Sequence, residues 1–241
     1  MTLLNRIRRK IRISIAGRFP GRFPAWYSTL DDPVEVPVQK EAYHLAKAHC
    51  ILSEDRVLDV GFGLGYGLKT LSGEGVKLHG IDIDTRAVNQ GRKLTGSVPG
   101  FVEVATYDGI NIPYPDHFFE VVTCIDVIEH VHDYLSLIRE MLRVSRRKVF
   151  ISTPIRRPEF TRPDGKPKNR WHLREWSLQE FANVLGRFEN VRIEWKFING
   201  PYRGPFHISS EPAGDTLALA PTVSALPENE SGTATGQMHG S

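Results

Sequence analysis

The chain has 241 residues, a net charge of +3, and 40% hydrophobic against 24% charged residues, the balance of an ordinary globular domain with short appendages. It contains no run of eighteen apolar residues, which excludes a membrane-spanning helix, and no signal peptide is expected. Cys50 and Cys124 are its only cysteines and lie 74 residues apart, which excludes a disulfide framework or a zinc ribbon, gives no reason to expect a metal, and points to the cytoplasm.

Residues 1–30 hold seven basic side chains and no acid. Leu3, Leu4, Ile7, Ile11 and Ile15 share an arc of about 120° on a helix, with Arg6, Arg8, Arg9, Lys10 and Arg12 around the remainder. Such a basic amphipathic segment suits a lid docked on the domain, a transit peptide, or peripheral membrane contact through residues 3–15. A helix is expected next at 36–52. Short runs rich in Val and Ile follow at 56–60, 76–81, 101–105, 119–125 and 148–152, bounded by Gly, Asp or Pro, as buried parallel strands are. Helical periodicity lies between most of them, clearest at 134–144. The alternation implies βαβ units and a doubly wound sheet. Ser177 with Glu180 forms a capping box at the start of a helix over 177–188. Runs at 191–198 and 216–220 read as strands without a helix between them, an antiparallel edge hairpin. The fold expected is therefore α/β, with a seven-stranded, mostly parallel sheet in a domain over 31–222. The segment 223–241 has the composition of a disordered tail.

A second basic block spans 143–174, where eleven Lys or Arg face only Glu159 and Asp164, and the chain outside the two basic segments is acidic at −13. Charge is thus confined to two patches, so duplex nucleic acid is not expected as a partner.

The most informative stretch is VLDVGFGLGYG, in which an apolar run reaches Asp59 and then Gly61, Gly63 and Gly65. These glycines permit a tight turn and close approach of backbone N–H groups to a ligand. A dinucleotide fingerprint would need glycine at 66, where Tyr66 stands. An acid beside the loop is also a poor host for pyrophosphate and suits a cationic amino group. Asp82 follows Gly61 by 21 residues and ends the next strand, where a carboxylate can accept both ribose hydroxyls. Asp84 reads as a helix N-cap. Asp108, after the third strand, can accept from the exocyclic amine of adenine.

Taken in order, VLDVGFGLG, GIDID, YDGINIPYPDHFFEVV, DVIEHV and ISTP resemble the class I S-adenosylmethionine-dependent methyltransferases, with a Rossmann-like sheet, of the small type related to quinone-biosynthesis enzymes. The resemblance covers 56–154. It departs at Glu120, where the family usually has Asp, and at Asn111-Ile112. It implies S-adenosylmethionine as cofactor, with Asp59, Gly61, Gly63 and Gly65 at the methionine end and Asp82 at the ribose. Asp108 would meet the adenine, flanked by Ile83 and Gly109, and Ile125 completes the cofactor set. The segment 169–177, NRWHLREWS, resembles an element of methyltransferases associated with surface polysaccharides.

Methyl transfer to a hydroxyl needs alignment and a base. His130, beside Glu129 after the fourth strand, and His172, in the variable segment after the fifth, are the candidates; His132 reads as a surface residue. Arg156 and Arg157, with Trp171 and Trp176, would form an electropositive, aromatic mouth for an anionic acceptor. The function expected is O-methylation of a small-molecule, glycan or lipid-linked acceptor. A nucleic-acid methyltransferase and a non-catalytic, cofactor-binding relative are the alternatives. Against the first stands the absence of an Asn-Pro-Pro-aromatic element where CIDVIEHV occurs.

Overall fold

The computed structural model describes residues 35–94, 96–189, 191–195 and 205–209. The basic segment 1–30, the strand expected at 216–220 and the tail 223–241 lie outside them. Among the described residues no helix is long and apolar enough to cross a membrane.

Helix α1 (Glu35–Cys50) leads to strand β1 (Arg56–Val60) and helix α2 (Tyr66–Leu71). Then come β2 (Lys77–Asp82), α3 (Thr85–Gly91), β3 (Phe101–Thr106) and β4 (Phe119–Ile125). The chain continues through α4 (Tyr134–Val144), β5 (Ser145–Ser152), α5 (Leu178–Leu185), β6 (Arg192–Trp195) and β7 (Pro205–Ser209). The sheet order is β3-β2-β1-β4-β5-β7-β6. The first five strands pair in parallel. Strand β7 runs antiparallel to both β5 and β6, so the strand beside β5 is Pro205–Ser209, upstream of the run expected at 216–220.

Sequence pattern explains these elements. Val57, Leu58 and Val60 of β1 are all buried, as a strand covered on both faces requires. Leu58 and Val60 face α4 and α5, in a core with Ile138, Met141 and Phe181. Val57 faces α1, in a second core with Tyr43, Ala46, Leu68 and Phe150. Asp84 caps α3 by accepting from the Arg86 N–H at 2.9 Å, and the capping box of Ser177 and Glu180 opens α5. Glu120 accepts from the Arg56 backbone N–H at 2.8 Å and from its guanidinium at 3.2 Å, which accounts for the longer acid at this position.

After β1 the chain builds outward through β2 and β3, then returns to place β4 on the other side of β1. The reversal leaves a crevice at the carboxyl ends of β1 and β4, where open α/β sheets bind ligands.

The basic block 143–174 is divided by this topology. Arg143 pairs with Glu140 and Asp116, Arg146 with Glu120, and Arg147 with Asp55. These side chains serve the amino ends of β4 and β5, away from the crevice. The positive patch expected from the whole block is carried only by its later part.

Candidate functional site

At the end of β1 the backbone enters the left-handed region at Gly61 (φ 73°), Gly63 (φ 54°) and Gly65 (φ 79°), conformations that side chains resist. A Cβ on Gly61 would also stand 2.6 Å from Cγ2 of Val127. The Gly61 N–H donates to the Ile81 carbonyl at 2.7 Å. The Gly63 N–H donates to Asp82 Oδ2 at 3.0 Å, and the Asp84 N–H to Asp82 Oδ1 at 2.8 Å. Asp82 thus shapes the glycine loop.

Asp59 lies beneath the loop with no exposed surface. Its carboxyl accepts from Thr123 Oγ1 at 2.8 Å and Tyr43 Oη at 3.1 Å. The sequence placed it against the ligand's amino group; here it ties α1, β1 and β4 together. Burial pushes this carboxyl up to about 7, against the hydrogen bonds from Thr123 and Tyr43. A carboxyl raised in the folded state stabilises fully below its unfolded value, near pH 4, and that contribution is lost as pH rises through the folded value. Urea unfolding of an Asp59→Asn variant should therefore show a weaker fall in stability between about pH 4 and 7 than the parent chain; equal slopes would contradict this account of Asp59.

The other wall of the crevice is apolar. Ile83 is 39% exposed, and a Cβ on Gly109 (φ 93°) would lie 3.3 Å from its Cγ2. Asp108 accepts from the N–H groups of Ile110 at 2.9 Å and Asn111 at 2.7 Å, and from Asn111 Nδ2 at 2.6 Å. Burial opposes its ionisation, but these bonds prevail and hold the carboxyl below its ordinary range. Ile125, expected in the cofactor set, is instead a core residue. The pleat of β4 turns it toward α1, on the same side as Val121 and Thr123.

Beyond β4, Asp126 takes a left-handed conformation (φ 52°), rare outside glycine and common at functional sites. Its carboxylate accepts from Ser152 Oγ at 2.7 Å. A turn of 3₁₀ helix, Ile128–His130, then delivers Glu129 and His130. Glu129 is fully buried. Its Oε2 accepts from Thr153 Oγ1 at 3.3 Å, while its Oε1 has no hydrogen-bond partner among the described residues. Burial pushes this carboxyl well above its usual range, and Asp126 adds to the effect. His130 Nδ1 lies 3.0 Å from the Trp171 carbonyl, which can only accept, so Nδ1 carries the hydrogen and Nε2 the lone pair. Burial, helped by His172, lowers this imidazole to about 4.

His172 stands beside it, with ring centroids 5.0 Å apart. Its Nδ1 is 2.6 Å from Glu175 Oε1, and its Nε2 is 2.9 Å from Asn169 Nδ2. Asn169 Oδ1 accepts from the Trp171 N–H at 3.0 Å, which fixes the amide's orientation. The two candidate histidines, 42 residues apart in sequence, therefore meet. The Leu173 N–H, bonded to the Glu129 carbonyl at 2.9 Å, clamps the two segments together. Glu175, Asn169 and Asp126 were not singled out from the sequence. The signal for Glu175 was its place three residues after His172, within HLRE.

The expected acceptor mouth is rearranged. Arg156, Arg174, Trp176 and Arg187 line an open cavity of about 370 Å³ against α5. Trp176 lines the cavity but is only 6% exposed and packs between Tyr134 and Phe181 in the core. Arg157 lies elsewhere, 3.3 Å from Glu159. Trp171 carries the Arg170 guanidinium 4.3 Å above its ring.

Residues 58–152 match a family model described as a methyltransferase domain. A probable S-adenosylmethionine-dependent methyltransferase of Mycobacterium tuberculosis is 31% identical over 153 residues, covering 63% of this chain and 52% of that protein. A ubiquinone biosynthesis O-methyltransferase of Pseudomonas fluorescens is 34% identical over 112 residues, covering 45% and 48%. The chain spans about half the length of the curated relatives it matches. Among solved structures, a SAM dependent methyltransferase from Aquifex aeolicus superposes with a TM-score of 0.61 at 21% identity, covering 79% of this chain and 100% of that one. The [4+2]-cyclase SpnF superposes at 0.60 with 16% identity, covering 73% and 81%.

Proposed function

We propose, from a chain whose residues 58–152 form a class I S-adenosylmethionine-dependent methyltransferase domain, that this protein methylates a hydroxyl group on a negatively charged acceptor. The observation that carries the reading is the juxtaposition of two assemblies across the switch point of the sheet. The glycine loop and Asp82 stand at the ends of β1 and β2, and the Glu129–His130–His172 cluster follows β4.

The crevice fits the cofactor. Gly61 and Gly63 bring backbone close to where the methionine end would lie. Asp82 offers its carboxylate to ribose hydroxyls, and Ile83, 39% exposed beside Gly109, offers an apolar face for a flat ring. When bound, S-adenosylmethionine supplies a methyl group already activated for in-line transfer. The protein's part is alignment and the management of one proton. A hydroxyl must lose its proton as its oxygen attacks, and His130, held after β4 with Nδ1 on the Trp171 carbonyl, carries its basic nitrogen at Nε2. The relative named as a ubiquinone biosynthesis O-methyltransferase supports this choice of atom.

Charge supports the class of acceptor. Arg156, Arg174 and Arg187 share one cavity with the exposed Glu180 as partial counterweight, and the Glu175 side chain forms a wall common to that cavity and the histidine cluster. A phosphate or carboxylate held there would leave the rest of the acceptor pointing toward His130. The test is a panel of hydroxylated acceptors, phosphorylated and neutral, supplied with methyl-labelled cofactor. Changing Arg156 and Arg187 together to Glu should raise the KM of a phosphorylated acceptor by roughly 10-fold or more, since each exposed charge contributes up to about 1 kcal/mol. Cofactor affinity should not change. A KM indifferent to both the double change and salt would remove the cavity from acceptor binding.

A further inference from the structure

We infer that Glu129, His130 and His172 form a binding site for one divalent transition-metal ion. One donor atom from each lies within 4.8 Å of the others. Glu129 Oε1, on a side chain with no exposed surface, has no hydrogen-bond partner among the described residues. A buried carboxyl oxygen without a partner is costly, and it lies 3.8 Å from His130 Nε2.

Both imidazoles are gripped from the far side. His130 Nδ1 faces the Trp171 carbonyl at 3.0 Å, and His172 Nδ1 faces the Glu175 carboxylate at 2.6 Å. A backbone carbonyl or a carboxylate on one ring nitrogen is how proteins fix the tautomer and aim the other nitrogen at a metal. Here two neighbouring rings show it, one with each kind of partner. His172 Nε2 meets the Asn169 amide at 2.9 Å, so an ion takes the place of that single hydrogen bond. Metal–ligand distances of about 2.0–2.2 Å require the three donors to draw together by roughly an ångström. His130, with 27% of its side chain exposed, gives access from solvent.

Two imidazoles and one carboxylate favour Zn(II), Mn(II), Fe(II), Co(II) or Ni(II) over Mg(II) or Ca(II), and leave coordination positions open for an outside oxygen. The sequence could not show the site, because its ligands come from two segments without a recurring spacing. Binding of the ion stands apart from the methyl-transfer reading. An ion on His130 Nε2 would occupy the lone pair that the proposed acid–base role uses, so the two roles belong to the loaded and the metal-free chain respectively.

The test is to strip the full chain with a chelator and titrate it with Co(II), following visible absorption and heat. The expected result is one saturable equivalent with a dissociation constant below about 10 µM. Glu129→Gln and His172→Ala should each weaken it by about 100-fold or more, each leg of a three-ligand site being essential. Circular dichroism and S-adenosylhomocysteine affinity, unchanged in both variants, keep misfolding and a failed cofactor assignment apart from loss of the metal. Absence of saturable binding, or equal affinity in the parent and both folded variants, would overturn the site.

Discussion

Replacing Asp82 by Asn is expected to weaken S-adenosylmethionine binding by roughly 30- to 1,000-fold. The carboxylate is buried at the end of β2 and accepts from the N–H groups of Gly63 and Asp84. In the liganded protein it would also accept from ribose. Hydrogen bonds to a charged acceptor contribute about 1.5–3 kcal/mol each. The amide loses the charge and offers only one oxygen, so the loop and the ribose compete for it. A loss of about 2–4 kcal/mol converts to the factor given, at tenfold per 1.4 kcal/mol. Calorimetric titration of parent and variant with S-adenosylhomocysteine measures it. The exposed Glu103 on neighbouring β3, changed to Gln, provides the control and should leave affinity within about twofold, as a surface substitution does. Equal affinity for Asp82→Asn and the parent would remove Asp82 from the cofactor site.

The second large effect falls on turnover. His130→Ala should lower kcat by about 10²- to 10⁴-fold, the usual range for losing a positioned acid–base group. Cofactor affinity should stay within about twofold, because His130 is fixed by the Trp171 carbonyl while the glycine loop is fixed by Asp82 and the Ile81 carbonyl. The imidazole is fixed by the Trp171 carbonyl and packed against His172. His132 serves as the comparison: two residues on, it lies outside the Glu129–His130–His172 group, and its replacement by Ala should leave kcat near the parent value. If the two variants turn over alike, proton management lies elsewhere and the proposed role of the cluster fails.

The central strands were legible because each is a short apolar run closed by Gly, Asp or Pro. Strand β4 and helix α4 occupy the residues their patterns mark, 119–125 and 134–144. Strand β5 starts at Ser145, three residues earlier than its apolar run, because Ser145 and Arg147 join the strand while their polar side chains donate to the Lys148 and Cys50 carbonyls. Local chemistry was equally readable at Asp84, Ser177 and Glu180, where caps depend on spacings of two or three residues.

What depended on long-range packing was not. The charge of residues 143–174 suggested one surface, yet acids from β4, α4 and the loop before β1 take up its first part. Trp176 has the composition of a sugar platform, but the parallel bridge between Ile155 and Trp176 draws it beneath α5 into the core. Nor does any spacing show that His130 and His172 meet. That contact follows from the crossing of two loops after neighbouring strands.

The measurement that bears most directly on the account is ultraviolet cross-linking of methyl-labelled S-adenosylmethionine to the full chain, with mapping of the labelled peptides. The crevice assigned here requires label in peptides containing Gly61 to Gly65, Asp82 to Ile83 or Asp108 to Gly109, and its loss when excess S-adenosylhomocysteine is present. Label confined to other peptides, or undiminished by the competitor, would contradict the assignment of this crevice as the cofactor site.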